Sequence, residues 1–131
     1  MPGYTRGRFF LGSVLLAQGD AKAALAVMEQ EKSDVRRLQG MALAQHALGD
    51  VGASDAALQE LIDKYGALNG AFQVAEVYAF RGEIDHAFDW LERAYDNRDT
   101  GMLVLLARPL LANLHDDPRW EPFLDKMGLP H

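Results

Sequence analysis

The chain has 131 residues, 49% hydrophobic and 24% charged, a balance that fits one globular domain with its own core rather than a disordered segment. Its net charge of −6 argues against a nucleic-acid surface, because phosphates reward clustered Lys and Arg, and its uninterrupted apolar stretches are too short to cross a bilayer. The absence of cysteine excludes disulfides, thiolate metal sites and Cys nucleophiles.

From the N-terminus, Met1-Pro2-Gly3-Tyr4 lacks the charged, apolar and small-residue succession of a signal peptide, so a cytoplasmic location is expected. Apolar periodicity then predicts helices at about 4–18, 21–31, 34–48, 51–65, 69–81 and 84–96, with no strand signal. A Gly-acidic pair separates the two helices of each pair: Gly19-Asp20, Gly49-Asp50 and Gly82-Glu83. Each Gly suits the left-handed position that ends a helix, and each acid suits the positive end of the next.

The corners recur at intervals of 30 and 33 residues. Seven residues before each Gly stands a small residue (Gly12, Ala42, Ala75), and five after it another (Ala24, Ser54, Ala87), which lets antiparallel helices approach closely. Larger apolar residues flank them and form the expected core: Leu11, Met41 and Val74 on first helices, Met28, Leu58 and Leu91 on second ones. Tyr78 and Phe88 are expected in the core as well.

This arrangement resembles the tetratricopeptide repeat, whose motif places a small residue, a tight Gly turn and an Ala at those offsets. The third copy fits best, with Val74, Ala75, Tyr78, Gly82, Ala87, Leu91 and Ala94. The second has Ser54 in place of Ala, and the first has Glu31 where the last small residue should stand. The first interval also falls four residues short of the usual ~34, about one helical turn, a loss expected near Glu31 to Ser33. The resemblance implies an all-α helix-turn-helix superhelix of three repeats, at about 4–33, 34–66 and 69–99, followed by C-terminal capping helices over 100–131, all in a single domain spanning 1–131.

Beyond Asp99-Thr100-Gly101 the pattern changes. Met102 to Ala107 is a short apolar run, Pro109 can open a helix, and Asp117-Pro118 reads as a cap with a first-turn proline before a last helix that ends at Gly128. Ala94-Tyr95, Arg98-Asp99, Pro109-Leu110, Asp117-Pro118-Arg119-Trp120 and Met127-Gly128-Leu129-Pro130 together resemble the C-terminal ends of bacterial signalling proteins. There such repeats follow nucleotide-cyclase, protein-kinase or winged-helix domains. Trp120 stands where that group often has Phe, and Arg108 where an acid commonly precedes the proline. A fragment of such a protein, or a stand-alone relative, is expected.

Chemistry-bearing patterns are sparse. His46, His86, His115 and His131 lack the i, i+4 spacing of a helical metal pair. Asp96 with Asp99 and Asp116 with Asp117 fall at helix boundaries, where capping explains them better than acid-base catalysis. No phosphate-binding Gly loop, nucleophile elbow or calcium loop is present. The expectation is a non-enzyme without cofactor or metal.

In the repeat that the chain resembles, first helices line a concave groove. The groove offsets here hold Arg6, Phe9, Ser13, Arg36, Gln39, Leu43, His46, Phe72, Glu76 and Phe80. That set is apolar at its centre and basic toward the first two repeats, and it suits a protein or peptide with apolar anchors and an acidic group. Some repeats of this kind clamp a C-terminal carboxylate with Lys and Asn, but Phe9, Ser13 and Gly40 stand at the matching positions and supply no such donor. The expected function is a protein-protein interaction scaffold, with a homo-oligomerisation module of a signalling protein as the second expectation. Neither a membrane nor a nucleic-acid partner is expected.

Overall fold

The computed structural model describes residues 5–66, 70–96, 111 and 114–127. Among them are seven α-helices and no strand: α1 (Thr5–Ala17), α2 (Ala21–Met28), α3 (Asp34–Ala47), α4 (Val51–Tyr65), α5 (Ala71–Phe80), α6 (Ile84–Asp96) and α7 (Trp120–Met127). The contacts divide into two compact units, Met1–Tyr65 and Gly66–His131. The helix expected at Pro109, and the segments around Thr100 and Gly128, lie outside the described residues.

The three corners share one backbone solution. Gly19, Gly49 and Gly82 have φ of +84°, +85° and +80°, the left-handed conformation that an L side chain resists. Their amides donate to Leu16, His46 and Ala79 carbonyls at 3.0, 3.0 and 3.1 Å, while the following amides of Asp20, Asp50 and Glu83 each donate five residues back, to Leu15, Gln45 and Tyr78, at 2.9 Å. These paired bonds satisfy carbonyls that the helix end leaves open. Asp20 Oδ1 then accepts from the Ala23 amide at 3.2 Å and Asp50 Oδ1 from Ala53 at 3.1 Å, capping α2 and α4. Glu83, one methylene longer, instead meets Arg81 Nε at 2.7 Å.

Small residues bring the helices of each pair together. Ala24, Ala42, Ala75, Ala87 and Ala94 are fully buried. Ser54 tolerates the same environment because its Oγ donates to the Ala42 carbonyl at 2.8 Å, so the hydroxyl is buried with a partner. In the first unit Met28 fills the space between α1 and α3. A β-carbon at Gly12 would lie 2.5 Å from Met28 Cε, and one at Gly40 would lie 2.8 Å from Met28 Cγ. Only two glycines admit so large a side chain there.

Three expectations need correction. Leu11, expected in the core, is 49% exposed, because none of the other described helices of the first unit covers that side of α1. The loss of a turn falls in α2, which ends at Met28 rather than near residue 31. Glu31 therefore lies beyond the helix, buried in the connection, where its carboxylate accepts from the Ser33 amide at 3.0 Å and its carbonyl from Arg37 at 3.4 Å. Third, Asp117 does not cap α7 with Pro118 as its first residue. Its Oδ1 accepts from the Arg119 amide at 2.9 Å in a tight turn, and the helix begins at Trp120. Proline enters the first turn anyway as Pro122, where no intrahelical amide is needed.

In the second unit α7 lies along α6. Phe123 meets Phe88 edge-on at 6.4 Å, and the Arg119 guanidinium lies 4.6 Å from the Phe88 ring centroid while pairing with Asp85 at 3.0 Å. Tyr95 donates to the Lys126 carbonyl at 3.3 Å, and Lys126 forms an ion pair with Glu92. Asp85, Phe88, Glu92 and Tyr95 form one row at helical spacing along which α7 makes contact, with Phe88 buried at its centre and Asp85 and Glu92 still open to solvent. Phe88 is buried as expected, whereas Tyr78 is half-buried with its ring 4.9 Å from that of His86.

Candidate interaction surface

The start of α3 is the best-anchored part of the first-helix surface. Ser33 Oγ accepts from the Arg36 amide at 3.4 Å and caps the helix. Asp34 Oδ2 accepts from the Tyr65 hydroxyl at 2.7 Å, Lys64 Nζ approaches it at 3.5 Å, and Arg37 forms an ion pair with its other oxygen. The Tyr65 hydrogen bond, followed by the neighbouring Lys64 and Arg37 charges, holds the Asp34 carboxyl below its ordinary range, while the same bond raises the Tyr65 phenol. This ties the first turn of α3 to the last turn of α4. Of the Arg36-Arg37 pair, Arg37 therefore serves as a brace and Arg36 starts the candidate row.

Along α3 the candidate residues fall at i, i+3, i+7 and i+10 and share one face. Arg36 and His46, at its ends, are half-buried, whereas Gln39 and Leu43, in the middle, are 1% and 0% exposed. On α5, Phe72 and Glu76 are 1% and 0% exposed, and Phe80 is half-buried. Ser13 on α1 is half-buried. The side chains of Arg6 and Phe9 lie outside the described residues. The candidate set thus separates into accessible positions (Ser13, Arg36, His46, Phe80) and buried ones (Gln39, Leu43, Phe72, Glu76) that contribute packing and buried polar interaction. The α3 and α5 rows belong to different compact units.

Sequence reasoning passed over the Tyr65-Asp34-Lys64 tie, for which the only signal is a pair of residues 31 positions apart. It also passed over two exposed apolar residues beside the second corner, Leu48 at 46% and Val51 at 54%. Among the described residues no group of three or more His, Cys, Asp or Glu side chains could hold a metal ion, and no helix is long and apolar enough to cross a membrane.

A family model described as tetratricopeptide repeat matches residues 5–30. Over those residues the chain is similar to a tetratricopeptide repeat. The match falls on α1, the first corner and α2, the copy whose residues depart most from the motif, and the all-helical fold with its Gly corners agrees with a helical-repeat protein. Repeats of this type generally mediate protein-protein interaction and are not themselves catalytic. No curated protein and no solved structure gives a significant match to the chain.

Proposed function

We propose that the chain is a protein-interaction scaffold that docks a partner segment, or a neighbouring domain of its own polypeptide, on its first-helix surface. The reading rests on the tetratricopeptide match, because that repeat works by presenting rows of side chains to another protein. The α3 row supports a partner with an acidic group beside apolar anchors, through half-exposed Arg36 and His46 above a buried Gln39 and Leu43. In the second unit, taken by itself, α5 presents Phe80 as a separate accessible aromatic. The resemblance of the tail to bacterial signalling proteins supports an intracellular regulatory setting, with an attached enzyme or winged-helix domain as the protein served.

The test is capture of partners from extract of the cells that express the chain, using wild type, Phe80→Ala and Arg36→Glu, each first checked for helicity. Phe80→Ala should weaken binding by about 1–2 kcal/mol if the ring is an anchor. Arg36→Glu should weaken binding of an acidic partner and reduce its salt dependence. If both folded variants retain every partner at full yield, the first-helix surface is not the site. Sedimentation of the chain alone separates partner binding from self-association.

A further inference from the structure

The α6 sequence repeats a four-residue pattern, Asp85-His86-Ala87-Phe88 and Glu92-Arg93-Ala94-Tyr95, at an interval of seven residues. In both copies the Ala is fully buried, while the acid and the aromatic, three residues apart, share another face of the helix. Each acid-aromatic pair holds one cation of the α7 segment. The Arg119 guanidinium, immediately before α7, pairs with Asp85 at 3.0 Å and lies 4.6 Å from the Phe88 ring centroid. Lys126, near the end of α7, pairs with Glu92 and lies 4.9 Å from the Tyr95 ring centroid. The two helices therefore run in the same direction, with Phe123 edge-on to Phe88 between the two cations.

We infer that this duplicated cradle is a docking site for a short amphipathic helix of another protein, one with two Arg or Lys residues seven apart and an aromatic between them, and that α7 is its built-in occupant. The site lies on the second helix of the second unit and is independent of the first-helix docking surface proposed above. Chemistry defines the partner. A carboxylate beside a ring attracts a cation both by its charge and by the negative face of the ring. Two such cradles, seven residues or ~10 Å apart along the helix, accept two cations from one face of a second helix, and Phe88 takes an aromatic edge between them. An acidic segment is turned away, because Asp85 and Glu92 repel it.

Exchange of α7 for a partner follows from how α7 is held. The side chains of Asp85, Arg119, Glu92 and Lys126 are 44–88% exposed, so both ion pairs are individually weak and screened by salt. A helix of eight residues is also too short to keep its shape unless docked. What favours α7 over a free helix of the same pattern is its attachment to the chain, equivalent to a concentration on the order of millimolar. A partner that binds the cradles tightly enough displaces it.

Fluorescence anisotropy of a dye-labelled synthetic peptide with the sequence of residues 114–128 tests this on the full chain. Wild type should bind the peptide weakly. The variant Arg119→Gln with Lys126→Gln, which loosens α7 without touching its apolar residues, should bind it about tenfold more tightly or better, because the internal competitor is weakened. Adding Asp85→Asn and Glu92→Gln to that variant should remove the gain, as should replacing the Arg and Lys of the peptide with Gln. Added salt should weaken the binding. All four substituted side chains are exposed, so the α5–α6 pair should stay folded, which ellipticity checks. Equal affinity of wild type and the loosened variant, or a gain that survives loss of the cradle acids or of the peptide cations, would overturn the inference. So would a wild-type dimer, seen by sedimentation without peptide and abolished by Asp85→Asn with Glu92→Gln, because it assigns the cradles to the α7 of a second copy.

Discussion

Asp117 shows how a single side chain can do a different job from the one its position suggests. Its carboxylate accepts from the Arg119 amide and from Arg119 Nε, both at 2.9 Å. The Arg119 side chain first, and that amide second, hold its pKa down to about 2 from an ordinary 3.8. A folded-state pKa below the unfolded one means that the contribution to stability is complete above the ordinary value and disappears as pH falls from about 4 toward 2. Arg119→Gln should therefore bring Asp117 back toward its ordinary titration and flatten the acid limb of the stability curve over that window. Carboxyl NMR titration of the folded variant measures the first effect and urea midpoints across pH the second. An Asp117 that still titrates near 2 would assign the shift to another cause. Residues differ in how far sequence exposes them. Gly19, Gly49 and Gly82 are legible because a left-handed corner excludes almost every other residue. Gly40 was not, since its value lies in what Met28 of another helix needs, and spacing within α3 carries no trace of that. Leu11 misled because periodicity names the apolar side of a helix without saying whether anything covers it.

At the scale of elements, boundaries set by local chemistry were readable and those set by packing were not. The interval of 30 residues announces a missing turn, yet Glu29, Gln30 and Glu31 are adequate helix formers, and nothing local requires α2 to stop at Met28. The stop follows from the chain turning to bring Gly40 against Met28, with Glu31 holding the turn through Ser33. Likewise Asp117-Pro118 is a sound helix start by local rules. The observed start at Trp120 leaves Arg119 free to pair with Asp85 and stack on Phe88, while Trp120 lies buried with its ring 4.6 Å from His115. The covering of α6 by α7 leads to a direct expectation. Phe123 is 3% exposed and Phe88 5%, so Phe123→Ala leaves a cavity between the two helices and should cost about 3–5 kcal/mol. Truncation after Asp99 removes the whole cover and should lower the melting temperature or cause aggregation, because a repeat end exposes its apolar face when uncapped. A truncated chain as stable and monomeric as wild type would show that α6 needs no cover.

At the scale of the molecule the fold was more legible than the site. Three corners at near-constant spacing determine helix pairs whatever their partners. A surface, by contrast, depends on what lies over it, and the candidate row resolved into exposed and buried members only once Leu43 and Phe72 were seen to be enclosed. The division of the chain at Tyr65 has a measurable consequence as well. Both tryptophans, Trp90 and Trp120, belong to the second unit, so their fluorescence follows 66–131, whereas far-UV ellipticity follows every helix. Gly40→Leu confines its damage to the first unit, since even a β-carbon there would lie 2.8 Å from Met28 Cγ and 3.1 Å from its Cβ, which is fixed to the backbone. Overpacking of this kind costs about 1–3 kcal/mol or somewhat more for a branched side chain. Repeat proteins hold stability as a sum of local and nearest-neighbour contributions, so the loss should appear unequally in the two signals. In urea, Gly40→Leu should lose ellipticity at lower denaturant than wild type while its tryptophan transition moves less. A double variant, Gly40→Leu with Met28→Ala, should recover part of the loss, because the smaller side chain vacates the space that leucine needs. Transitions that shift together by the same amount in both signals would show instead that the 131 residues unfold as one cooperative body.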